Sequence, residues 1–146
     1  MKFKYASLKD LNTCIRLSKT SWPRWWAQNE KCGKKHIKER IKEKRVFIVI
    51  SNREIIAYLV YGILWNKIHV EDVFVKKEYR RHRIGSTLLK HIFEFAKKQG
   101  FRELISDCDV SNKVSIKYHL KNGFKKCGYI KNNWGKEDSY TFSKKI

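Results

Sequence analysis

The 146-residue chain has little proline, little methionine and few acids. One proline and one methionine occur, and 14 acidic residues stand against 34 lysines and arginines. The longest hydrophobic run, Ile55–Trp65, is far shorter than the roughly 20 residues that a membrane span needs. The basic N-terminus also lacks the apolar segment of a signal peptide. We therefore expect one cytoplasmic domain, residues 1–146, with no membrane partner.

The four cysteines lack the spacing of a metal or redox site. No C-x-x-C pair occurs, and Cys32 and His36 have no second pair to complete a zinc-ligand set. We expect all four cysteines to be reduced and structural, and we expect no metal.

The formal net charge of +20 is compatible with nucleic-acid binding, because lysine and arginine neutralise phosphates. However, the 25 lysines are spread along the whole chain and outnumber the nine arginines. A dispersed excess of lysine is typical of a solvated surface. Nucleic acid is therefore not the expected partner, and the positions of the few acids become informative.

Hydrophobic periodicity predicts alternating strands and helices. Alternation predicts a strand over residues 1–6, and Ser7 with Asp10 resembles a capping box that opens a helix to about Lys19. The tryptophan-rich segment 21–33 is polar and breaks the pattern at Pro23, so we expect it to be loop-like. Further helices are predicted over residues 34–45, 85–99 and 111–122, and further strands over 46–51, 54–65, 67–75, 103–107, 123–130 and 139–145. The order β-α-α-β-β-β-α-β-α-β-β predicts an α/β fold with helices packed on a central sheet.

The segment Val70–Ala96 combines a strand, a basic turn and a helix start. Arg80, Arg81, His82 and Arg83 lead into Gly85, Ser86 and Thr87, after which an amphipathic helix begins. Backbone N–H groups at a helix start, surrounded by cations, form a favourable site for an anion. The pattern therefore indicates a diphosphate-binding turn.

The segments "EDVFVKKEYRRHRIGSTLL" and "ELISDCDVSNKVSIKYHLKNGF" resemble the GNAT superfamily of acetyl-CoA-dependent N-acetyltransferases over almost the whole chain. The resemblance implies a mixed, mostly antiparallel sheet of six or seven strands with about four helices. It also implies acetyl-CoA as cosubstrate, direct transfer in a ternary complex without a metal, and a possible homodimer.

By the same resemblance, one group of residues contacts the coenzyme. The turn is similar to the family pattern R/Q-x-x-G-x-G/A, although Arg83 occupies the usual position of the first glycine, where a side chain restricts the backbone. The implied coenzyme-binding residues are Phe74, Val75, Lys76, Arg80, Arg81, His82, Arg83, Ile84, Gly85, Ser86, Thr87, Asn112 and Tyr118.

His119 occupies the position where many GNATs have the tyrosine that protonates the departing thiolate. Histidine can donate a proton near neutral pH, so His119 is a candidate acid. The alternative is that His119 only flanks the thioether.

The acceptor amine requires a carboxylate or an ordered water, because an alkylammonium must lose a proton before it can attack. Glu71 and Asp72 precede the basic turn, and Asp107 and Asp109 end the next strand. In a chain of charge +20 such a cluster favours a small cationic amine. Glu71 and Asp107 are the candidate catalytic residues, and Asp72 is a further candidate for substrate binding.

A narrower resemblance points to the aminoglycoside 6′-N-acetyltransferases, and so to antibiotic resistance. Trp22, Glu71 and Asp107 match substrate-contacting positions of that branch, and Trp22, Trp25 and Trp26 could form an aromatic lid over a sugar-like polycation. Other acceptors remain open: glucosamine phosphate, a polyamine, and a protein N-terminus or lysine. A non-catalytic nucleic-acid-binding module is the alternative from another class.

Overall fold

The computed structural model describes all residues, 1–146, and contains seven strands and four α-helices in the predicted order. The elements are β1 Lys2–Tyr5, α1 Leu11–Ser21, α2 Pro23–Lys42, β2 Val46–Ser51, β3 Glu54–Leu64, β4 Lys67–Val75, α3 Ile84–Lys98, β5 Glu103–Asp109, α4 Lys113–Lys121, β6 Lys125–Trp134 and β7 Glu137–Lys145. The strands lie in the order β1-β2-β3-β4-β5-β7-β6. Since β4 and β5 are parallel in a mostly antiparallel sheet, the predicted mixed α/β architecture is confirmed.

Local sequence signals explain several element boundaries. The Ser7 backbone N–H donates to Asp10 Oδ2 at 2.9 Å, which is the predicted capping box. Asn52 and Arg53 both adopt positive φ, 49° and 64°, as a two-residue hairpin turn between antiparallel strands requires. Gly100 follows α3 with φ 83°, the left-handed conformation of a helix C-terminal glycine.

The tryptophan-rich segment differs from the expectation of a loop. Helix α2 begins at Pro23, because a proline in the first turn loses no helical hydrogen bond. The helix is kinked at Asn29, where φ is −134°. It also packs Trp26 into the core, and a Cβ added to Gly33 would lie 2.6 Å from the Trp26 ring. Only a residue without a side chain fits there, and burial of the indole stabilises the helix despite its polar composition.

The chain divides into two compact units. The first comprises Met1–Gly62 with Asp72–Leu88, and the second Ile63–Glu71 with Leu89–Ile146. The core of the first unit is formed by residues from α1, α2, β2, β3 and the end of β4, among them Ile15, Trp26, Ile48, Tyr58 and Phe74. The expectation of a single domain stays a prediction.

The second unit contains the parallel pairing of Lys67–Val70 with Glu103–Ser106. Glu103, at the start of β5, is buried and forms ion pairs with Lys67 at 2.8 Å and Lys145 at 3.0 Å. These two cations lower the pKa of Glu103.

All four cysteines are free thiols, and Cys14 and Cys108 are buried. Burial raises the pKa of Cys14 to about 12, which makes this thiol unreactive near neutral pH. None of the helices is both long enough and apolar enough to span a membrane.

Candidate active site

The basic turn between β4 and α3 lies entirely in the first unit. The Thr87 N–H donates to Arg83 O at 2.9 Å in the first turn of α3, which begins at Ile84. The N–H groups of Ile84, Gly85 and Ser86 therefore lie at the helix start, where an anion is stabilised. Arg81, His82 and Arg83 are exposed around them. Donor groups and cations thus occur together, which fits a diphosphate.

Arg81 and Arg83 both adopt left-handed backbone conformations, with φ of 66° and 60°. Arginine rarely adopts this region, which glycine enters without cost. Arg83 therefore reproduces the backbone that a glycine would supply, and adds a cation. The Arg80 Nε donates to Val75 O at 2.9 Å and ties the turn to the end of β4.

Side chains at the end of β4 and just after it make different contacts. Phe74 is buried and stacks on Tyr58 with ring centroids 5.4 Å apart, so its side chain belongs to the core. The Lys76 N–H donates to Ile56 O at 2.8 Å, and its ammonium pairs with Glu54 at 3.2 Å. Asp72 lies on this segment and accepts a hydrogen bond from the Tyr58 hydroxyl at 2.6 Å.

The second unit brings His69, Asp107 and Thr141 together. His69 Nε2 lies 3.1 Å from one oxygen of Asp107, and the Thr141 hydroxyl donates to the other oxygen at 2.8 Å. Burial acts to raise the pKa of Asp107, but the hydrogen bonds from His69 and Thr141 outweigh it, and the pKa lies below its ordinary value. Asp107 is therefore ionised near neutral pH. Since a carboxylate only accepts hydrogen bonds, it holds the proton of neutral His69 on Nε2 and leaves Nδ1 as the basic nitrogen.

Glu71 lies two residues after His69 on the same strand, so the two side chains leave the same face of β4. Sequence reasoning singled out Glu71 and Asp107 but missed His69. The available signal was the alternation in "HVE", which places an imidazole and a carboxylate on one face of the strand.

His119 is buried in the second unit and stacks on Phe142 with centroids 4.7 Å apart. Its Nδ1 lies 2.7 Å from the Ser115 carbonyl, which can only accept, so Nδ1 carries the proton. Its Nε2 then accepts from the Ser106 hydroxyl at 2.9 Å. Burial lowers the pKa of His119, and the neutral imidazole predominates near pH 7.

The remaining predicted residues differ in accessibility. The Asn112 side chain accepts from the Ser115 N–H at 3.0 Å and caps α4. Tyr118 is half-buried, and burial raises its pKa above the usual range. Of the three tryptophans, Trp22 is 40% exposed and Trp25 is half-buried, whereas Trp26 is only 3% exposed. The expectation that Trp26 joins an exposed aromatic lid is therefore corrected, because its indole fills the core.

The model of the acetyltransferase (GNAT) family matches residues 11–124, most of the chain. The chain belongs to the GNAT family. Similar GNAT proteins include a spermidine N(1)-acetyltransferase of Thermoplasma acidophilum, 24% identical over 86% of this chain and 88% of that protein. An N-alpha-acetyltransferase of Sulfurisphaera tokodaii is 25% identical over 95% of this chain and 89% of that protein.

Solved structures show the same GNAT fold. The PaiA N-acetyltransferase of Thermoplasma acidophilum, in complex with coenzyme A, superposes with a TM-score of 0.82 at 23% identity, covering 99% of this chain and 98% of the other. The fold expectation is thus confirmed, and this GNAT protein is an acetyl-CoA-dependent N-acetyltransferase. The identity of its amine acceptor is a separate question.

Proposed function

We propose that this GNAT acetylates a primary amine of a small organic polycation, and that a polyamine is its acceptor. The observation that supports this most is the His69–Asp107 pair, with Glu71 on the same strand face. In a chain of charge +20, an ionised carboxylate with an attached imidazole provides both attraction for a cation and a base for its proton.

In this proposal, Glu71 holds the ammonium, the Nδ1 of His69 deprotonates it, and Asp107 attracts it through its negative charge. Asp107 fixes the imidazole so that Nδ1 accepts one ammonium proton, and Thr141 fixes the carboxylate. A carboxylate has about four acceptor positions, so Asp107 can bind His69 and Thr141 and still attract a cation.

The coenzyme is assigned to the basic turn. The N–H groups of Ile84, Gly85 and Ser86 bind its diphosphate, and Arg81 and Arg83 neutralise the charge. Acetyl-CoA supplies an activated acetyl group and a thiolate leaving group. Backbone groups at Phe74 and Val75 hold the pantetheine and polarise the carbonyl.

The prediction that His119 protonates the thiolate requires a charged imidazole. Because burial lowers the pKa of His119, the charged form is scarce near neutral pH. The proposal therefore does not depend on His119: the second proton of the attacking amine becomes acidic when the C–N bond forms, and it neutralises the sulfur.

Polyamines are preferred to aminoglycosides because the expected aromatic lid is incomplete. Trp26 is buried, so stacking on a sugar ring depends mainly on Trp22. A flexible polyamine needs carboxylates and no flat aromatic surface. An aminoglycoside 6′-amine is the second candidate, supported by the exposed Trp22 and by the positions of Glu71 and Asp107.

The test is acetyl-CoA-dependent thiol release with spermidine, kanamycin, glucosamine 6-phosphate and a peptide with a free N-terminus as parallel acceptors. We expect release with spermidine at the lowest acceptor concentration. Release with kanamycin alone would move the assignment to the aminoglycosides. Release with the peptide or the phosphorylated sugar alone would contradict the polycation proposal.

The role of the base is tested by His69→Asn, which keeps a polar side chain but removes the proton acceptor. We expect kcat to fall at least 100-fold near pH 7 with unchanged coenzyme affinity. His91→Asn, a change at an exposed histidine of α3, serves as the matched control and should retain full activity. Full activity of His69→Asn would remove the base assignment.

A further inference from the structure

One side of α2 carries a row of lysines that the proposed function does not use. After the kink at Asn29, four exposed lysines follow one another at intervals of four, three and four residues. Residues three and four apart lie on the same side of an α-helix, so the four ammonium groups form a single row. This lysine row consists of Lys31, Lys35, Lys38 and Lys42. The helix thus gathers lysines that look dispersed in the sequence.

The orientation of the lysine row is fixed by the buried side of the same helix. Gly33 is buried, and Ile37 and Ile41 are only 7% and 3% exposed. Burial of these positions prevents the helix from rotating about its axis. The lysine row therefore faces solvent along about 16 Å, at a rise of about 1.5 Å per residue.

The lysine row differs from the exposed side of α3. There Lys90, Glu94 and Lys98 stand four residues apart and alternate in sign, which is typical of a solvated helix surface. Lysines at the same spacing without an intervening acid repel one another and destabilise a helix. The lysine row is thus unfavourable for the isolated protein, and a bound polyanion would relieve the repulsion.

The acids of α2 do little to neutralise the lysine row. Glu30 pairs with Lys19 at 2.7 Å and with Lys34 at 3.0 Å. Glu43, directly after the helix, pairs with arginines at 3.3 and 2.6 Å. Glu39 borders the row and offsets one of its charges at most. The row therefore retains a net positive charge.

We propose that the lysine row is a binding surface for the phosphate backbone of a nucleic acid. Over about 16 Å, one strand of a stacked helix presents about five phosphates, since successive phosphates lie about 3.4 Å apart along its axis. Four ammonium groups in a straight row match this density of charge, and they bind phosphates without reading bases. The row contains no residue assigned to the acceptor or to the coenzyme, so the inference does not depend on the proposed function.

A lipid surface is the less suitable polyanion. A helix that binds a bilayer places its apolar side among the lipids. The apolar side of α2 is already buried in the protein, where Ile37 and Ile41 pack in the core. Only the charged side of this helix is available, which favours a ligand that is itself a row of phosphates.

The test measures binding of labelled RNA and DNA single strands of about 20 nucleotides to the full chain, by fluorescence anisotropy at several concentrations of potassium chloride. We expect the logarithm of the binding constant to fall with the logarithm of salt concentration at a slope of about −2.8, because each of four lysine contacts contributes about −0.7. Binding of either strand, or of both, would support the surface and would identify its ligand.

The decisive variant replaces all four lysines of the row by glutamine, which has similar helix propensity. Its affinity at low salt should fall at least about tenfold, and its salt slope should be close to zero. The matched control replaces four exposed lysines of the second unit by glutamine and changes the net charge equally; these are Lys97, Lys98, Lys117 and Lys121. The control should keep the slope and lose less than about threefold in affinity. Both variants should retain acetyltransferase activity.

Three outcomes would overturn the inference. Equal loss of affinity in the two variants would assign binding to the overall charge of the protein. Displacement of the strand by coenzyme A, at a concentration that saturates the active site, would place the strand at the turn before α3. Absence of binding to both strands would exclude a nucleic-acid surface, including the case in which only vesicles of phosphatidylglycerol and phosphatidylcholine bind.

Discussion

The turn between β4 and α3 and the turn between β5 and α4 both deliver a strand to a helix N-terminus, but they treat the first N–H groups of the helix in opposite ways. At α4 the chain supplies its own acceptor: the Asn112 side chain accepts from the Ser115 N–H at 3.0 Å. Just before the helix, Asp109 accepts from the Ser111 N–H at 2.7 Å. The residue before α3 is Arg83. Its guanidinium carries only hydrogen-bond donors, so it cannot accept a hydrogen bond from an N–H of the helix. The start of α4 is thus capped by a neutral amide of the chain, whereas the start of α3 follows a positively charged side chain, which favours an anion there.

The two turns also differ in backbone conformation. The β4–α3 turn contains two arginines at positive φ, whereas Asn112 caps α4 at φ −83°. Left-handed residues at a helix start orient successive N–H groups towards one point, which is the arrangement of an anion-binding nest. A strand followed by a helix therefore indicates an anion site only when the residue before the helix has no side-chain acceptor for the first N–H groups.

The largest effect is expected from Gly85→Asp, which adds an acid in the first turn of α3. The carboxylate should occupy the N–H groups and repel the diphosphate, so coenzyme A affinity should fall at least 100-fold by calorimetry. An acid near a helix N-terminus stabilises the helix, so the fold should be retained. Lys113→Asp at the capped start of α4 is the control and should change affinity less than twofold. Normal affinity of Gly85→Asp would place the diphosphate elsewhere.

The next largest effect is expected at His119 on α4, which should make the unfolding free energy depend on pH. Because the pKa of His119 on α4 is lowered from 6.5, the unfolded chain binds a proton that the folded chain does not. Unfolding free energy should therefore decrease as the pH falls below about 6.5, by at most about 1.4 kcal/mol per pH unit for this group. Denaturation of His119→Phe between pH 5 and 8 should show a weaker decrease, whereas His91→Phe on α3 should behave like the unmodified protein. If the unfolding free energy depended on pH in the same way in all three proteins, the claim that burial lowers the pKa of His119 would be contradicted.

Removing the α4 cap should have a smaller effect. Asn112→Ala should lower the unfolding free energy by about 1 kcal/mol, because the Ser115 N–H loses its acceptor. Asn112→Asp retains an acceptor and should recover most of that loss. Calorimetry on the same variants shows whether Asn112 also contacts the coenzyme: unchanged affinity in Asn112→Ala would limit this residue to capping.

The smallest effect is expected from Arg83→Gly, which restores the usual glycine of the family. Glycine relieves the strain of the left-handed backbone in the folded protein, but it also gives the unfolded chain more freedom. The two effects nearly cancel, so the unfolding free energy should rise by only a few tenths of a kcal/mol. Loss of the cation should weaken coenzyme A binding about threefold. Arg53→Gly makes the same change at φ 64° in the β2–β3 hairpin and should leave affinity unchanged. Equal affinity in both variants would show that the Arg83 charge does not contribute.

Local signals were sufficient for most of the fold. The hairpin at Asn52–Arg53, the cap at Ser7 and the helix end at Gly100 each depend on residues adjacent in the sequence. The helix around Trp25 and Trp26 was missed, because its polar composition favours a loop and its stability comes from burying Trp26 against Gly33. Such a contact depends on tertiary packing, which overrides local propensity.

The candidate site divides in the same way. The basic turn is contiguous, so its residues could be named from sequence, and the acids Glu71 and Asp107 could be named because acids are scarce. The partnerships of His69 with Asp107 and of Tyr58 with Asp72 join residues 38 and 14 positions apart. Nothing in the local pattern predicts them.

The sequence by itself determined the order of strands and helices, the cationic turn at the start of α3 and the scarcity of acids, because each is a property of neighbouring residues or of composition. The tertiary structure alone decided which nitrogen of His69 and of His119 carries a proton, why Trp26 is buried, and which hydroxyl binds Asp72. These depend on side chains that folding brings together from distant positions, and on burial, which changes the pKa of a group without any change in its neighbours along the chain.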